Sequence, residues 1–512
     1  RGESRHRIAA YERGADVMMA FRGDLDRFID EGRLTEIPGI GARIASIIEE
    51  VRATGRALLL DELREGLPDG ALALARGPKL SKRAIATLSA AGIRDVPSLL
   101  AAAKDGTLRE LTGFTEKTEA RILKEAAQRE ERRGRMVLRR AMALAEDLAR
   151  YLKGDDVAIV GELRRGLEVI DAIDLLATSE DVRARFEKFR KLAAGHTAEG
   201  VPVRLHVVDP KERGVASVRL TGSAAHVAAL GDLRGATEEE VYANAGLQWV
   251  PPPMREGEGE IALARAHRIP KLIEASDLRG MVHCHTTFSD GADTIEAMAR
   301  AAEDLGMEFI TITDHSPTAH YAHGVELSRL EEQWDAIARA QENVGIRILR
   351  GTESDILQDG ALDYPDAILE KLDVIIASIH NRYRQGAADM TKRIITALRH
   401  PMFKIWGHAL GRILLNRPPV ECDVEKILDV AAESRVAIEL NGDPFRMDMA
   451  PHWAKRAHAR GIKFVISVDA HSTPELRNVR WGALMAQRAG LAPRDVLNTH
   501  GVNAFVRAVR PA

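Results

Sequence analysis

The stretch MVHCHTTFSDG (281–291) sets two histidines, His283 and His285, and an aspartate, Asp290, directly after an apolar run. In an extended chain residues i and i+2 face the same way, so His283 and His285 point together and Cys284 points to the opposite side. The arrangement recurs downstream. FITITDHS (309–316) carries His315, RILRGTESDIL (347–357) carries Glu353, and VIIASIH (374–380) ends on His380. KIWGHALGR (404–412) carries His408, and FVISVDAHS (464–472) carries Asp469 and His471 in the same i, i+2 relation. Nine candidate ligands, six of them imidazoles, thus close successive β-rich runs. Clustered imidazoles and carboxylates suit zinc, manganese or iron, and several such ions side by side suit phosphate-ester hydrolysis. From about residue 279 onward these runs alternate with amphipathic helical segments. That rhythm predicts a parallel barrel or open parallel sheet with its chemistry at the C-terminal ends of the strands.

Composition bounds the rest. A chain of 512 residues predicts two to four domains. Hydrophobic residues at 45% and charged residues at 29% are ordinary for a soluble protein, and no apolar run is long enough for a membrane span. Cys284 and Cys422, the two cysteines, cannot build a disulfide framework and fit a reducing cytosol. Aromatics are only 4%, so base stacking is not expected to dominate any nucleic-acid contact. The chain starts at Arg1 rather than Met, as expected where the natural N-terminus lies upstream. Its first residues (RGESRHRIAAYERG, 1–14) are polar and helical in pattern, unlike a signal peptide. Residues 1–150 hold 28 Lys+Arg against 24 Asp+Glu, a net of about +4; the whole chain is −3, which leaves about −7 for the remainder. A basic front suits nucleic acid and an acidic back suits metal.

Residues 1–134 read as short helices broken by Gly and Pro. LTEIPGIGARIASIIEEV (34–51) has a tight turn at Pro38-Gly39-Ile40-Gly41 followed by Ile44, Ile47, Ile48 and Val51 at helical spacing. LRELTGFTEKTEARIL (108–123) repeats the pattern around Gly113, without the final glycine. This is the helix-hairpin-helix pattern, whose glycine turn exposes backbone N–H groups at a helix N-terminus where a DNA phosphate can sit irrespective of sequence. Gly39, Gly41 and Arg43 in the first copy, and Gly113 and Lys117 in the second, are the candidate DNA contacts. ERRGRMVLRR (131–140) reads as a basic helical bridge. Beyond it VAIVGELRRG, EVIDAIDLLAT and VPVRLHVVD alternate as strands with helices, and WVPPPMREGEGE (249–260) opens a linker.

GELRRGLEVIDAIDLL (161–176) resembles the nucleotidyl-transfer motif of family X DNA polymerases, as do GPK (77–79), TGSAAH (221–226) and EEEVYANAGLQWVPPPMREGEGE (238–260) around it. The resemblance covers nearly the whole chain and matches the bacterial form in which the polymerase is fused to a C-terminal PHP domain. It implies a Gly-Ser and an Asp-x-Asp, with a third Asp on a neighbouring strand, holding two magnesium ions. This sequence departs from that pattern: Ala172 stands at the first Asp with only Asp174 remaining, Arg204 at the third, and Glu162 at the Ser. Asp171 cannot replace the missing acid, because side chains three apart on a strand face opposite sides. A cation where two dications belong and an anion where phosphate belongs should abolish nucleotide addition. The lysine that some eukaryotic relatives use as a lyase falls at Ile47, which cannot form an imine. Arg164, Arg165 and the hairpins remain as candidate holders of DNA backbone.

The C-terminal region resembles the PHP metal-dependent phosphoesterases: HCHTTFSDG, TDHS, TESDIL, ASIH, GHALGRIL and DAHS stand in family order. The resemblance implies a distorted (β/α)7 barrel whose nine ligands hold three divalent metals, Mn²⁺ and/or Zn²⁺ with Fe as an alternative, with Glu353 bridging. His285, His315, Glu353 and Arg412 are the expected catalytic residues, with His285, His315, Arg382 or Arg412 as candidates to help the leaving alkoxide, and Asp314, beside His315, is expected to orient a ligand imidazole. His408-Ala409-Leu410-Gly411-Arg412 replaces the usual His-Pro-Thr-Gly-Arg.

The expected protein is multidomain, α+β and α/β. Its expected parts are an N-terminal helix-hairpin-helix domain (1–70), a fingers-like helical domain (71–134), a degenerate palm and thumb (135–262), a linker (263–278) and a PHP domain (279–512). The expected function is a metal-dependent phosphoesterase of DNA repair. It would act on 3′ ends as exonuclease or 3′-phosphatase, or as an endonuclease at abasic sites, in the cytoplasm beside the nucleoid. Its partner is DNA, gapped or with 3′ ends. A histidinol-phosphate-type phosphatase and a non-catalytic DNA-end scaffold are the alternatives.

Overall fold

In the computed structural model the described residues are Tyr11, 25–37, 40–65, 67–75, 77–78, 80–152, 156–189, 192, 195–197, 199–383 and 385–510. Gly39, and all but Tyr11 of the segment 1–14, lie outside them. The chain divides into two units, Arg1–Arg133 and Gly134–Ala512.

The first unit is helical. The helix Ala42–Thr54 starts at Gly41 and ends at Gly55, whose φ of 72° is the left-handed stop that glycine favours. Ile44 and Ile48 pack toward Leu34, Ile37 and Ile40, but Val51, expected on the same face, is exposed. The second hairpin is better built. Asp95 and Ser98 form a reciprocal cap on Val96–Asp105, and the turn passes through Gly113 at φ 92°. Glu116–Arg132 then buries Ile122 against Leu99, Leu108 and Phe114. The expected bridge 131–140 is not one helix: Gly134 (φ 74°) breaks it, a short strand follows, and a new helix runs Leu138–Leu152.

In the second unit, β1 (Met136–Val137) pairs antiparallel with β3 (Val169–Ile170). β2 (Ala158–Val160), β4 (Ile173–Ala177) and β5 (Val203–Val207) form a sheet in the order β2-β4-β5, antiparallel then parallel. The motif GELRR, expected within a strand run, is a short helix, Gly161–Arg165.

Seven parallel strands follow: β6 (Gly280–Met281), β7 (Phe309–Ile312), β8 (Arg347–Asp355), β9 (Val374–Ser378), β10 (Ile405–Trp406), β11 (Ala437–Asn441) and β12 (Phe464–Ser467). They lie side by side in chain order, from β6 to β12. Past the ends of β6 and β12, Cys284 bridges Ala470, with His285 N–H donating to Ala470 O (2.8 Å) and Ala470 N–H to His283 O (3.1 Å). The sheet is therefore a nearly closed barrel. Alternate strand residues Phe309, Leu349, Val374, Ile376, Ile405, Ala437 and Val465 form its interior with Phe505 and Val509 of the helix Val502–Val509. The opposite set, including Ile310, Ile348, Ile375, Trp406 and Ile438, packs under the surrounding helices. Cys284 falls in that outer layer, as its strand parity predicts.

The palm-like segment and the barrel share one apolar cluster. Leu163, Ile170, Ile173 and Leu175 pack with Met447, Trp481 and Met485. The Pro-rich stretch expected to open a linker is instead structural: Arg255 is fully buried, its guanidinium held by Glu238 and by Val250 O (2.8 Å). Ile273, in the expected linker 263–278, is buried and donates to Leu491 O (3.0 Å). No helix among the described residues is long and apolar enough to cross a membrane.

Candidate metal centre

The apolar interior of the barrel ends where the strands do. Along β8 the inward parity of Leu349 and Gly351 continues to Glu353; along β9 that of Val374 and Ile376 leads to Ser378 and His380; beyond β12, Val465 and Ser467 lead to Asp469 and His471. One face of each strand thus supplies a hydrophobic floor and then a polar rim. His408 would break this rule, since Trp406 two residues before it faces outward. Its backbone φ of 23° re-aims it, and Asp469 (φ 54°) is likewise in the left-handed region. Two ligand positions held in costly backbone conformations mark a place where the surroundings over-determine geometry.

All nine candidate ligands converge on one centre. Glu353 is fully buried at its middle. His408 Nε2 lies 2.7 Å and His380 Nε2 3.1 Å from its Oε1; His315 Nδ1 lies 3.0 Å, His283 Nε2 3.4 Å and His285 Nε2 3.5 Å from its Oε2. Asp469 Oδ1 stands 3.0 Å from His285 Nε2 and 3.5 Å from His283 Nε2. Asp290 Oδ1 stands 3.3 Å from His471 Nε2 and 3.7 Å from His315 Nε2. Three ligand groups emerge: His283, His285, Glu353 and Asp469; His315, Glu353 and His380; and His285, Asp290, His315 and His471.

The donor set fits divalent cations. Half of the buried polar side-chain atoms without a hydrogen-bond partner among the described residues belong to these ligands. They are both nitrogens of His285, His283 Nε2, His315 Nδ1, His408 Nδ1, both Glu353 oxygens and Asp469 Oδ1. Unsatisfied buried polar atoms are costly, and here the Glu353 oxygens, Asp469 Oδ1 and the facing nitrogens of His283, His285 and His315 point at one another. The Nε2 atoms of His380 and His408 are 3.2 Å apart, an approach two neutral imidazoles tolerate only around a shared proton or cation.

Without metal, protons share the centre. Burial works against a charged imidazole, yet the carboxylates of Glu353 and Asp355 raise His380 to about 10. Asp290 and Asp469 do the same for His471, also against burial and also to about 10. His283 is held well above its usual range by Glu439, Glu353 and Asp469 in spite of burial. His285 goes the other way, to about 4, through burial and the neighbouring His471 and His315. Burial would raise Glu353, but the imidazoles of His380, His283, His315 and His408 keep it well below the carboxylate range.

Residues not singled out from sequence orient the ligands. Glu439 accepts from His283 Nδ1 (2.6 Å), from the backbone N–H of His408, from Asn441 Nδ2 (3.1 Å) and from Ser467 Oγ. Asp355, two residues after Glu353, pairs with His380 Nδ1. Such partners fix the tautomer and rotation of a ligating imidazole. Strand parity was a usable signal for both: Glu439 interrupts the apolar run AIELN on its inward face. Arg446 is the cation that reaches the centre, with Nε 3.3 Å from Asp469 Oδ2. Nothing in its local sequence marked it.

Other expected roles are corrected. Arg412 does not face the ligands. Its guanidinium donates to Glu168 Oε1 (3.0 Å), to Arg446 O (3.1 Å) and to Met447 O, tying the barrel to the palm. Arg488 binds the other oxygen of the same Glu168. Asp314 orients no imidazole: it accepts from Thr286 N–H (2.7 Å), Ser289 Oγ (2.6 Å) and Gln333 Nε2 (2.8 Å), which fixes the loop carrying Asp290. Arg164 is locked to Glu238 and Ser217 (2.8 Å), and Arg165 to Glu256 (3.2 Å) and Thr221 O (2.7 Å), so neither is free for DNA. Of the remaining candidate contacts, Arg43 reaches Tyr11 Oη at 2.9 Å, while Gly41 and Lys117 are exposed. Arg382 is exposed two residues past His380.

In the expected palm, Asp174 is gripped by Arg204 through two hydrogen bonds (2.8 and 2.9 Å) and by His206 Nε2 (2.8 Å). Asp171 points elsewhere, to Arg135 (2.9 Å), and Glu162 accepts from the Asp171 N–H (2.7 Å).

Comparison with known proteins adds the following. The PHP domain family matches residues 282–443, and the SAM-like helix-hairpin-helix tandem matches residues 81–128, around the second hairpin. The chain is 29% identical to the DNA polymerase/3′-5′ exonuclease PolX of Bacillus subtilis, across 99% of this chain and 96% of that protein. It is 33% identical to a probable phosphatase of Thermoanaerobacter sp. (strain X514), across 42% of this chain and 89% of the other. Among solved structures, a histidinol phosphate phosphatase from Lactococcus lactis is 17% identical, covering 42% of this chain and 94% of that one, with a TM-score of 0.32.

Proposed function

Because the chain is a homologue of the family X polymerase PolX over nearly its whole length, with a helix-hairpin-helix region and a C-terminal PHP domain, we propose that it trims DNA 3′ ends by metal-dependent phosphoester hydrolysis. In this reading the palm no longer adds nucleotides. The observation that carries it is the buried Glu353 ringed by five imidazole nitrogens at 2.7–3.5 Å, with no arginine or lysine among the described residues paired to it.

The three ligand groups would hold divalent ions, Mn²⁺ or Zn²⁺, which supply a hydroxide nucleophile near neutral pH and stabilise charge on the phosphoryl oxygens. Glu353 has an oxygen toward each of two groups and so joins them. Glu439 and Asp355 hold His283 and His380 in the orientation that presents Nε2 inward. Arg446 keeps positive charge beside Asp469, where a phosphate oxygen would be received. The palm's single acid, Asp174, carries its own counter-cation in Arg204, which binds both of its oxygens and opposes a dication there. DNA would be held by the hairpin unit, at Gly41, Arg43, Gly113 and Lys117, rather than by Arg164 and Arg165. The compartment implied is the cytoplasm, beside the nucleoid.

The test is incubation with Mn²⁺ and a 3′-labelled recessed duplex, beside a His283→Ala/His285→Ala double variant. Stepwise loss of 3′ nucleotides or of a terminal phosphate, absent in the variant, is the expected result. Turnover of histidinol phosphate with DNA left intact would favour the small-molecule phosphatase suggested by the probable-phosphatase relatives. DNA binding with neither metal uptake nor hydrolysis would leave an end-binding scaffold.

A further inference from the structure

Aromatic side chains are scarce in this chain, and their placement is therefore informative. The most exposed of them among the described residues is Tyr321, at 64%. Its ring centroid lies 5.9 Å from that of His315 and 6.2 Å from that of His380, two of the nine candidate ligands. The turn that carries it, His320–Ala322, is not loose. Ala319 and Ala322 on either side are buried, Val325 N–H donates to His315 O (2.7 Å), and Ala319 N–H donates to Ser316 O (3.1 Å). Gly324 sits so close to Ser316 that an added Cβ would lie 2.0 Å from its carbonyl oxygen. The backbone is pinned to the strand end bearing His315, and the phenol ring projects from it at the rim of the centre.

We propose that Tyr321 is a specificity-determining residue: a stacking platform for the base of the nucleotide being removed. This rests on the phosphoesterase reading above and deepens it by naming the substrate class as a nucleotidyl phosphodiester rather than a small alkyl phosphate. Water oxygen bonds to phosphorus as the bond from phosphorus to the upstream 3′ oxygen breaks; a proton from the water ends on that oxygen, which leaves as a 3′-hydroxyl, and the departing 5′-nucleotide is the one stacked on Tyr321. Every base has an apolar face, so a lone aromatic grips a 3′ end without reading its sequence. A pinned ring loses little entropy on binding. The base must be unstacked from its neighbour, so the site favours frayed or single-stranded 3′ ends.

The test uses two chromogenic esters with one leaving group: p-nitrophenyl thymidine 5′-phosphate, which carries a base, and p-nitrophenyl phosphate, which does not. With the full-length Mn²⁺-loaded protein, the ratio of their kcat/KM values is expected to fall about tenfold in Tyr321→Ala, through KM, and to survive in Tyr321→Phe. Calorimetric binding of thymidine 5′-monophosphate should weaken by a similar factor in Tyr321→Ala only. A ratio unchanged within twofold, together with equal thymidylate affinity, would overturn the proposal. A wild-type protein that hydrolyses neither ester would remove the phosphoesterase reading, while the thymidylate affinities would still decide for or against Tyr321.

Discussion

Two acidic residues at strand positions of the same unit have opposite surroundings. Asp174 on β4 is met by Arg204 on β5, directly beside it in register, and both its oxygens are bound by one guanidinium. Glu353 at the end of β8 is met by imidazoles, whose nitrogens become lone-pair donors once their protons leave. A carboxylate with a fixed cation has its charge matched permanently. One ringed by titratable nitrogens is matched by protons that a metal ion can displace. Family resemblance covers both regions, yet only one retains the donor chemistry of a metal site.

The comparison can be broken most directly at Glu353. Glu353→Gln removes the charge shared by two ligand groups, and is expected to lower metal content and to reduce phosphodiester hydrolysis by roughly 10²–10³-fold. Metal analysis beside a hydrolysis assay checks it, and full activity with full metal would refute the central role. The next effect concerns a third carboxylate, Glu168, which Arg412 and Arg488 hold at about 2 from its usual 4.5 against the opposing push of burial. Its folded value is depressed, so its contribution, on the order of 3 kcal/mol, is present above about pH 4.5 and is lost as the pH falls toward 2. Unfolding followed from pH 6 to 3 should show this slope in the wild type and a flatter one in Glu168→Gln.

A smaller effect is expected at Glu439. Glu439→Gln leaves His283 without its charged partner and should weaken metal binding roughly 10–100-fold, as titration calorimetry would show. In the same experiment on the wild type, protons should leave as metal enters, because His380 and His471 sit near 10 when no metal is bound. Affinity should therefore rise with pH across the neutral range. The smallest effect belongs to the palm. Arg204→Ala leaves Asp174 held by His206 alone, but Arg204 is mostly exposed, so screening limits the loss to about 1 kcal/mol, with no change in 3′-end trimming. A large loss of hydrolysis there would show that the two regions are coupled in chemistry and not only in packing.

The barrel was legible because its signal is periodic and local: β7, β8, β9 and β12 each announce an apolar floor and then a polar ligand at the same parity. What failed was anything decided by a distant partner. Arg412 follows His408 closely, and proximity in sequence suggested a shared task. Yet the left-handed turns at His408 and Gly411 send its side chain to Glu168, 244 residues away. Arg164 and Arg165 read as free cations until Glu238 and Glu256 arrive from far along the chain. A charge in a sequence shows a capacity to pair and not the partner. The same limit hid Arg446, whose importance lies wholly in where its loop ends.

The loop Gly166–Glu168, inside the stretch that resembles a nucleotidyl-transfer motif, has one more consequence. A side chain at Gly166 would collide with Leu484 of the barrel helix, and Glu168 neutralises two barrel arginines. The stretch acts as an adhesive between the small sheet and the barrel. Deleting it would strand Arg412 and Arg488 beside an uncovered apolar face, so cohesion alone is reason enough for the chain to keep it.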